Sequence, residues 1–287
     1  MNRRLFPAGL YILLITLASC KQKVRLIKSP PHYSFKAVQS TKIDLKLQEI
    51  SGIAWDNKRD EFLTHYDEAG KVYILDKSTY AITSEFQFGS KGDYEDITIY
   101  KGVPYILISN GTIIKLVRDS AGQFQRGETA GKLNITGVND FETLYADTAR
   151  KALVMVCKNC EMDDKTKVSA FAFYPDSVGF VNEPVFQIDA AKIKELSAKL
   201  GHHKTSKFQP SAAPIHPMDK KLYIISSASS QLVIADSTGN PEQVYELGEK
   251  LFPQPEGLTF KNDGTMYISN EGVASRATIL LFRYKPL

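Results

Sequence analysis

The chain has 287 residues, with 36 Lys or Arg against 32 Asp or Glu, and its formal net charge is +4. The charge falls to +2 when residues 1–19, which contain two arginines and no acid, are left out. A balance this close to neutral argues against nucleic acid as a partner, and 43% hydrophobic residues are enough for the core of one large domain.

The start of the chain has the pattern of a bacterial lipoprotein signal. Arg3 and Arg4 precede a short apolar run, residues 10–17, and small residues lead from it to Cys20. A charged start, an apolar run and a small-residue cleavage site are typical of a secretory signal peptide. A cysteine directly after Leu-Ala-Ser resembles the bacterial lipobox, so we expect removal of residues 1–19 and diacylation of Cys20, which would anchor the protein in a membrane. The alternative is an ordinary signal peptide followed by a chance cysteine.

The rest of the chain divides at residue 40. Residues 20–40 are basic and polar, which indicates a lipid anchor and a flexible tether, and residues 41–287 remain for one folded domain. Lys21, rather than Asp, follows the cysteine, which favours the outer membrane over the inner membrane of the cell envelope. No stretch after the signal is apolar and long enough to cross a bilayer as a helix.

Five short stretches of the folded domain resemble one another. Each has an apolar residue or Pro, then Glu or Ser, then a small or short polar residue, then an aliphatic residue or Ala. They lie at residues 50–54, 94–98, 141–145, 210–214 and 255–259. Their second positions, 51, 95, 142, 211 and 256, are 44, 47, 69 and 45 residues apart, close to the period of roughly 40–50 residues of propeller blades. We therefore predict an all-β protein with a single five-bladed propeller, in which each stretch opens an innermost strand; a sixth blade in the 69-residue interval is the alternative.

The last blade is one strand short in this scheme. Runs rich in β-branched and aromatic residues follow each stretch, and the last of them is at residues 278–282. Residues 43–47 alternate apolar and polar side chains before the first stretch. We predict that they form an N-terminal strand that closes the last blade and protects its edge.

The 69-residue interval contains a predicted helix, residues 189–201. Asp189 can cap its start, Gly201 can end it, and three apolar residues, Ile193, Leu196 and Leu200, share one face. This inserted helix accounts for the length of the interval and favours five blades.

Two residue pairs elsewhere could bind metals. His202 and His203 follow the helix with no Cys or carboxylate directly beside them, which favours an exposed loop. Cys157 and Cys160 lack the helix context of a redox motif and the second pair of a zinc site. A structural disulfide or free thiols are therefore favoured in an oxidising envelope.

Carboxylates recur at the repeated stretches. The second residue of each stretch and the residue two positions before it are polar, and the pairs are Glu49 and Ser51, Asp93 and Glu95, Asp140 and Glu142, Gln209 and Ser211, and Gln254 and Glu256. Side chains at i and i+2 of a strand point the same way, so these pairs are expected to ring one mouth of the central channel.

Six like charges at one mouth would repel unless they are neutralised. Oxygen-only ligands in a flexible ring suit calcium better than zinc. The chief calcium ligands expected are Glu95, Glu142 and Glu256, and the further ligands are Glu49, Asp93 and Asp140. The alternative is a wide mouth solvated by water and lysine side chains.

Polar residues at the repeats and at the ends of second strands predict a rim that binds a ligand. The predicted rim residues are Ser51, Asp67, Glu68, Asn110, Ser211, Asn270 and Glu271. Ordinary turns at the strand ends are the alternative, since small polar residues are common there.

Several motifs together resemble the SdiA-regulated (YjiK-like) propeller family. They are EISGIAWD at 49–56, DEAGKVY at 67–73, YEDI at 94–97, FET at 141–143, QPEGL at 254–258 and SNEG at 269–272, and they extend the resemblance over residues 41–287. The resemblance implies a five-bladed, calcium-binding propeller of the cell envelope. Ser211 stands in the fourth repeat where three of the others have Glu, which breaks the symmetry of an acidic ring.

Two functions follow as hypotheses. The first is a membrane-anchored, monomeric propeller that binds calcium at its channel mouth together with a small-molecule ligand or an envelope protein. The second is a calcium-dependent phosphohydrolase, phytase- or esterase-like, in which the same carboxylates hold metal ions that position water and phosphate. The chain contains no Gly-x-Ser-x-Gly elbow, His-Glu-x-x-His helix or phosphate loop. Phosphate binding would also need cations, and the candidates near the repeats, Lys71, Lys91, Lys158 and Arg276, are of a kind common on surfaces.

Overall fold

Strands rich in β-branched and aromatic residues pair in chain order into five antiparallel sheets, the blades of a propeller. The computed structural model describes residues 28–201, 207–273 and 275–286. The first strand, β1 (Gln39–Lys42), precedes blade 1, which consists of β2 (Ile50–Asp56), β3 (Glu61–Tyr66), β4 (Lys71–Leu75) and β5 (Ile82–Gln87). Blade 2 consists of β6 (Tyr94–Tyr100), β7 (Val103–Ile108), β8 (Thr112–Arg118) and β9 (Phe124–Lys132).

The remaining blades are less regular. Blade 3 has β10 (Asn139–Asp147), β11 (Ala152–Cys160) and β12 (Lys167–Tyr174), with β13 (Gly179–Phe180) and β14 (Phe186–Asp189) both paired to β12. Blade 4 has β15 (Leu222–Ser226), β16 (Gln231–Ala235) and β17 (Pro241–Glu246), and its inner edge pairs through isolated bridges at Ala212 and Ile215. Blade 5 has β18 (Pro255–Phe260), β19 (Met266–Asn270) and β20 (Thr278–Phe282). The prediction of five blades is confirmed.

An N-terminal strand closes the last blade, as predicted, but at a different position. The strand β1 pairs antiparallel with β20, with Gln39 opposite Leu281 and Lys42 opposite Thr278. The predicted closing strand, residues 43–47, is wrong, because Leu45–Leu47 form a turn of 3-10 helix. The Asp44 side chain accepts a hydrogen bond from the Lys46 N–H, which competes with an extended backbone.

The folded part of the chain also begins before the predicted boundary at residue 41. Tyr33 and Phe35 are buried against blades 4 and 5, and the Tyr33 hydroxyl donates to the Gly264 carbonyl at 2.6 Å. The predicted flexible tether is therefore wrong from Tyr33 onward. Cys20 lies outside the described residues.

One α-helix, α1 (Ala190–Lys199), is inserted between blades 3 and 4, as predicted. The Asp189 side chain caps it by accepting from the Lys192 N–H at 2.8 Å, and Ile193 is buried on its inner face. The following pair, His202 and His203, lies outside the described residues. Among the residues described, no helix is long and apolar enough to cross a membrane.

The core lies between neighbouring blades, where apolar side chains of one sheet pack on the next. Phe62 of blade 1 and Tyr267 of blade 5, for example, have ring centroids 4.7 Å apart. This packing fixes the inner strands around a central channel, and it therefore determines which side chains meet at the channel ends.

Candidate functional site

All five repeated stretches begin at one end of the channel, which we call the acidic mouth. A cavity of about 280 Å³ lies there, and six carboxylates and one lysine are among the residues that line it. The lining residues are Ser51, Asp67, Asp93, Glu95, Glu142, Lys158, Ser211, Gln254, Glu256 and Glu271. Four of the five blades contribute carboxylates, and blade 4 contributes Ser211.

Bulges in the inner strands lie at the repeated acidic positions. The pairing of inner and second strands slips by one residue at Glu95 in blade 2, at Glu142 in blade 3 and at Glu256 in blade 5. Blade 1 has the corresponding slip at Ser51-Gly52. A bulge leaves one residue out of the ladder and changes the direction of its side chain. The simple alternation of a strand is therefore interrupted at the residues that line the mouth.

Glycines allow the bulges of neighbouring blades to approach closely. A Cβ atom on Gly52 would lie 2.6 Å from both Asp96 Oδ1 and the backbone nitrogen of Ile97 in the next blade. A Cβ atom on Gly257 would lie 2.8 Å from the Ser51 carbonyl oxygen of blade 1 and 2.2 Å from Ser269 Oγ of its own blade. Only a residue without a side chain fits at these two positions.

Hydrogen bonds from side chains tie the bulges together across blades. The buried Asp96 carboxylate of blade 2 accepts from the Leu144 N–H of blade 3 at 2.8 Å. The Ser211 hydroxyl of blade 4 donates to the Pro255 carbonyl of blade 5 at 3.0 Å, and within blade 1 the Thr64 hydroxyl donates to the Gly52 carbonyl at 2.6 Å. Backbone groups that leave the ladder at the bulges thus keep hydrogen-bond partners.

The carboxylates at the mouth lack sufficient positive charge around them. Burial, with the neighbouring Asp93 carboxylate, raises the pKa of Glu95 to about 8. Burial raises the pKa of Glu256 to about 7, although the charge of Lys158 opposes the shift. Burial and the Glu256 carboxylate raise the pKa of Glu271 to about 7. All three shifts show that the ionised forms are disfavoured in the protein alone.

Lys158 is the only cation among the described residues that line the cavity. Its ammonium group donates to the Glu142 carboxylate and lies 3.9 Å from Asp140 Oδ2. A disulfide between Cys157 and Cys160 encloses this lysine, so the disulfide alternative for the cysteines is the one the structure contains.

Comparison with protein families identifies the lineage of the chain. The profile of the SdiA-regulated family matches residues 28–273. The chain belongs to the SdiA-regulated family. No curated protein matches it at a significant level of sequence similarity.

Solved structures similar to this SdiA-regulated protein share its propeller fold. A glutaminyl cyclase from Myxococcus xanthus superposes with a TM-score of 0.57 at 13% identity, covering 87% of this chain and 95% of the cyclase. A gluconolactonase from Xanthomonas campestris superposes with a TM-score of 0.53 at 11% identity, covering 90% and 96% of the two chains. A luciferin-regenerating enzyme gives a TM-score of 0.52 at 11% identity, with 85% and 95% covered. At sequence identities this low, the similarity shows a shared fold and nothing further.

Most of the site residues predicted from sequence lie at the mouth of this SdiA-regulated propeller. Eight of them line the cavity, namely Ser51, Asp67, Asp93, Glu95, Glu142, Ser211, Glu256 and Glu271. Asp140 is close by, where it approaches Lys158. Glu49 is exposed and does not line the cavity, although its charge acts on Asp67 and Glu271.

Three predicted rim residues do not line the cavity. Asn270 is fully buried, and its amide donates to the Thr278 hydroxyl at 3.1 Å. The Asn110 side chain accepts from the Thr112 N–H at 3.1 Å and so stabilises a turn. Glu68 is exposed. The rim prediction therefore does not hold for these positions, because a residue at the end of a second strand can turn into the blade or into its own loop.

Two lining residues were missing from the predicted set. Lys158 was one of four cations assigned to ordinary surface positions, and its place between two cysteines was the only local signal. Gln254 donates from its side-chain amide to the Glu271 carboxylate, and its membership of a repeated i, i+2 pair could have identified it.

The donor atoms at the mouth are of the type that a hard cation prefers, but they are not close enough together to form a complete set of ligands. All the acidic donors are carboxylate oxygens, which hard cations prefer. Among the His, Cys, Asp and Glu side chains of the described residues, only Cys157, Cys160 and Asp163 form a group of three whose ligand atoms lie within 4.8 Å of one another. The two sulfurs of that group are joined to each other. A cation at the mouth would therefore need water ligands or side-chain movement in addition to the carboxylates.

Proposed function

We propose that this SdiA-regulated protein is a propeller of the cell envelope, anchored through Cys20, that binds calcium at the acidic mouth. A small-molecule ligand or an envelope protein would bind at the same end. The single observation that carries the proposal is the convergence of the bulged residues Glu95, Glu142 and Glu256 on one cavity. Nothing in an apolar core requires carboxylates at these positions, whereas a cation does.

The charge balance of the mouth supports a cation. Six carboxylates line the cavity against one lysine. Burial raises the pKa values of Glu95, Glu256 and Glu271, and neighbouring carboxylates add to the shift at Glu95 and Glu271. A bound cation would lower these pKa values by favouring the ionised forms.

Calcium also suits the oxygen donors of the mouth. It takes six to eight oxygen ligands in flexible geometry, and water molecules can be among them. Glu95, Glu142 and Glu256 would hold the ion, with Asp93 and Asp140 beside them. When bound, calcium would supply positive charge that could also attract an anionic group of a ligand.

The experiment measures calcium binding by calorimetry and the melting temperature with calcium and with a chelator. Sites of this openness outside the cytosol bind in roughly the 10⁻⁴–10⁻³ M range, so saturating calcium should raise the melting temperature by mass action. Glu95→Gln keeps the size of the side chain and removes one charge. We expect it to weaken binding and to reduce the calcium-dependent rise in melting temperature. The melting temperature in the chelator should stay the same or increase, because the ionised form of Glu95 is disfavoured in the protein without a cation.

Glu195→Gln is the matched control, because Glu195 is exposed on α1 and pairs with Lys199 away from the cavity. It should bind calcium as the unmodified protein does. A melting temperature that does not respond to millimolar calcium in the unmodified protein would refute the proposal. A lower apo stability of Glu95→Gln with an unchanged calcium response would make Glu95 a structural residue.

Calcium-dependent phosphoester hydrolysis is the second candidate, and one observation favours it. Lys158 lies inside the cavity, where a phosphate group bound beside the carboxylates and their cation would need a basic partner. Purified protein should then release phosphate from phytate or simple phosphoesters with calcium and not with a chelator. Calcium binding without any phosphate release would refute hydrolysis and support the binding function only.

A further inference from the structure

The pairing of the inner and second strands of blade 3 has a second bulge, which the corresponding pairs of blades 1, 2 and 5 lack. In the described strands of blades 1, 2 and 5, the extra residue is on the inner strand only. In blade 3 the extra residue of the inner strand is Glu142. The second strand, β11, also has an extra residue: Asp140 pairs with Asn159 and Phe141 pairs with Cys157, so Lys158 has no partner in the ladder. The two extra residues meet, because the Lys158 ammonium donates to the Glu142 carboxylate. The bulge on β11 therefore serves to place a cation at the mouth.

A disulfide closes this second bulge. Cys157 and Cys160 flank the turn of chain that carries Lys158, and both cysteines are buried. The Lys158 side chain is 33% exposed by comparison. The backbone that carries the lysine is thus held covalently, whereas the end of its side chain remains able to move.

The space for that movement is beside the mouth. An adjoining cavity of about 220 Å³ shares Lys158 with the mouth and extends toward blade 4, where Gln209 and Ser227 line it. The ammonium group therefore has two environments within reach, one next to Glu142 and Asp140 and one toward blade 4, where Glu256 and uncharged polar groups line the cavity.

Lys158 occupies two of the carboxylates that a metal ion would use. We propose that Lys158 is a built-in counter-ion of the acidic mouth, which competes with calcium for Glu142 and Asp140 and is held in place by the Cys157–Cys160 disulfide. This inference rests on the proposed calcium site. It makes the calcium affinity of that site depend on Lys158, which is not itself a calcium ligand. A cation binds when the ammonium group leaves the two carboxylates, so the lysine weakens binding and limits it to high calcium concentrations.

The test compares calcium affinity, measured by calorimetry, in the full chain and in Lys158→Gln. Removing one positive charge within a few ångströms of the ion should tighten calcium binding roughly tenfold. The variant should also melt at a lower temperature in a chelator, because it lacks the one cation found among the described lining residues, and its melting temperature should rise more with calcium. This second readout is independent of any activity.

Lys207→Gln is the matched control. Lys207 is exposed on the same end of the propeller and donates to the Asn159 side chain at 3.0 Å, one residue from Lys158, but it does not line the cavity. It should change calcium affinity by less than about twofold, since exposed charges are screened. An equal gain in both variants would show a general effect of surface charge and overturn the assignment.

The role of the disulfide is tested with Cys157→Ala/Cys160→Ala. This variant leaves Lys158 in the chain but releases its bulge, so calcium affinity should increase in the same direction as in Lys158→Gln and by less. An unchanged affinity in a folded double variant would remove the disulfide from the inference while the result for Lys158 stands.

The outcomes separate this inference from the proposed function. Calcium binding that is unchanged or weaker in Lys158→Gln, with normal binding by the unmodified protein, overturns the inference and leaves the calcium site in place. Absence of binding in both proteins removes the calcium site and the inference with it. Binding that is measurable in both proteins and tighter in Lys158→Gln supports the competition.

Discussion

At the scale of single residues, a buried histidine makes stability depend on pH. His65 on β3 is fully buried, and among the described residues its Nε2 atom has no hydrogen-bond partner. Burial lowers the pKa of His65 to about 4, so its imidazole is neutral in the folded protein near neutral pH. The unfolded chain takes up a proton at this histidine at a higher pH than the folded protein does.

We therefore expect His65→Gln to remove one part of the acid sensitivity. The stability that the neutral His65 contributes to the folded protein is fully present above the pKa of the unfolded chain, about 6.5, and is lost as the pH falls toward 4. Over that range it amounts to roughly 3 kcal/mol of the free energy of unfolding. Chemical denaturation of both proteins at several pH values between 4 and 7.5 measures the difference.

The difference between the two proteins is needed because the mouth carboxylates act in the opposite direction. Glu95, Glu256 and Glu271 have raised pKa values, so the stability that their protonated forms contribute is present at low pH and is lost as the pH rises through about 7 to 8. Subtraction cancels this contribution, since His65→Gln leaves the three glutamates unchanged. Parallel curves for the two proteins from pH 6.5 to 4 would contradict the assignment to His65.

At the scale of elements, the strand β1 completes blade 5. It contributes four residues to the edge of β20, and the segment before it buries Tyr33 and Phe35 against the last two blades. The Tyr33 hydroxyl also lies 2.7 Å from Nε2 of the buried His216. The N-terminal segment is thus part of the fold rather than a spacer.

We expect a chain that begins at residue 28 to be as stable as one that begins at residue 20. A chain that begins at residue 43 should lose at least about 5 kcal/mol, because it loses two buried aromatic side chains and exposes the edge of β20. Thermal melting of the three purified proteins measures the effect. Equal melting temperatures for the chains that begin at 28 and 43 would show that blade 5 is stable without closure.

A variant with both aromatic residues replaced, Tyr33→Ala/Phe35→Ala, separates packing from strand pairing. It retains β1, so a loss smaller than that of the shorter chain would assign the remainder to the strand. A loss equal to that of the shorter chain would assign the whole effect to the two side chains.

At the scale of the whole molecule, the N-terminal segment and the acidic mouth lie at opposite ends of the channel. Tyr33 contacts His216 and Gly264, which lie in the connections that follow the inner strands of blades 4 and 5. The mouth is formed by the beginnings of those inner strands. A lipid on Cys20 would therefore attach the protein by the end opposite the mouth, which leaves the mouth directed away from the bilayer.

We expect Cys20→Ser to abolish acylation and to release the protein from the membrane fraction. The released protein should bind calcium with the affinity of the acylated protein in detergent, because the anchor and the mouth are at opposite ends. Fractionation of cells followed by calorimetry on both forms tests the two statements. Unchanged membrane association of Cys20→Ser would refute the lipid anchor.

Local signals were sufficient for the elements whose structure is determined within a few residues. The repeated stretches identified the inner ends of five blades, because each repeat encodes its own bulged strand start. The helix α1 was predicted because Asp189 and the spacing of Ile193 and Leu196 act within one or two turns. The carboxylates at the mouth were predicted for the same reason, since their positions repeat with the blades.

Tertiary structure alone decided the features that depend on partners in other strands or loops. The strand β1 has the sequence Gln-Ser-Thr-Lys, without apolar alternation, and it is a strand because β20, more than 230 residues later, offers an unpaired edge. Asn270 is buried rather than at the rim because its partners are Thr278 and Leu251. Lys158 lies in the mouth because two adjacent bulges and a disulfide bring it to Glu142. In each case the free energy comes from a contact with another strand or loop of the folded chain, and a sequence pattern read locally does not contain that contact.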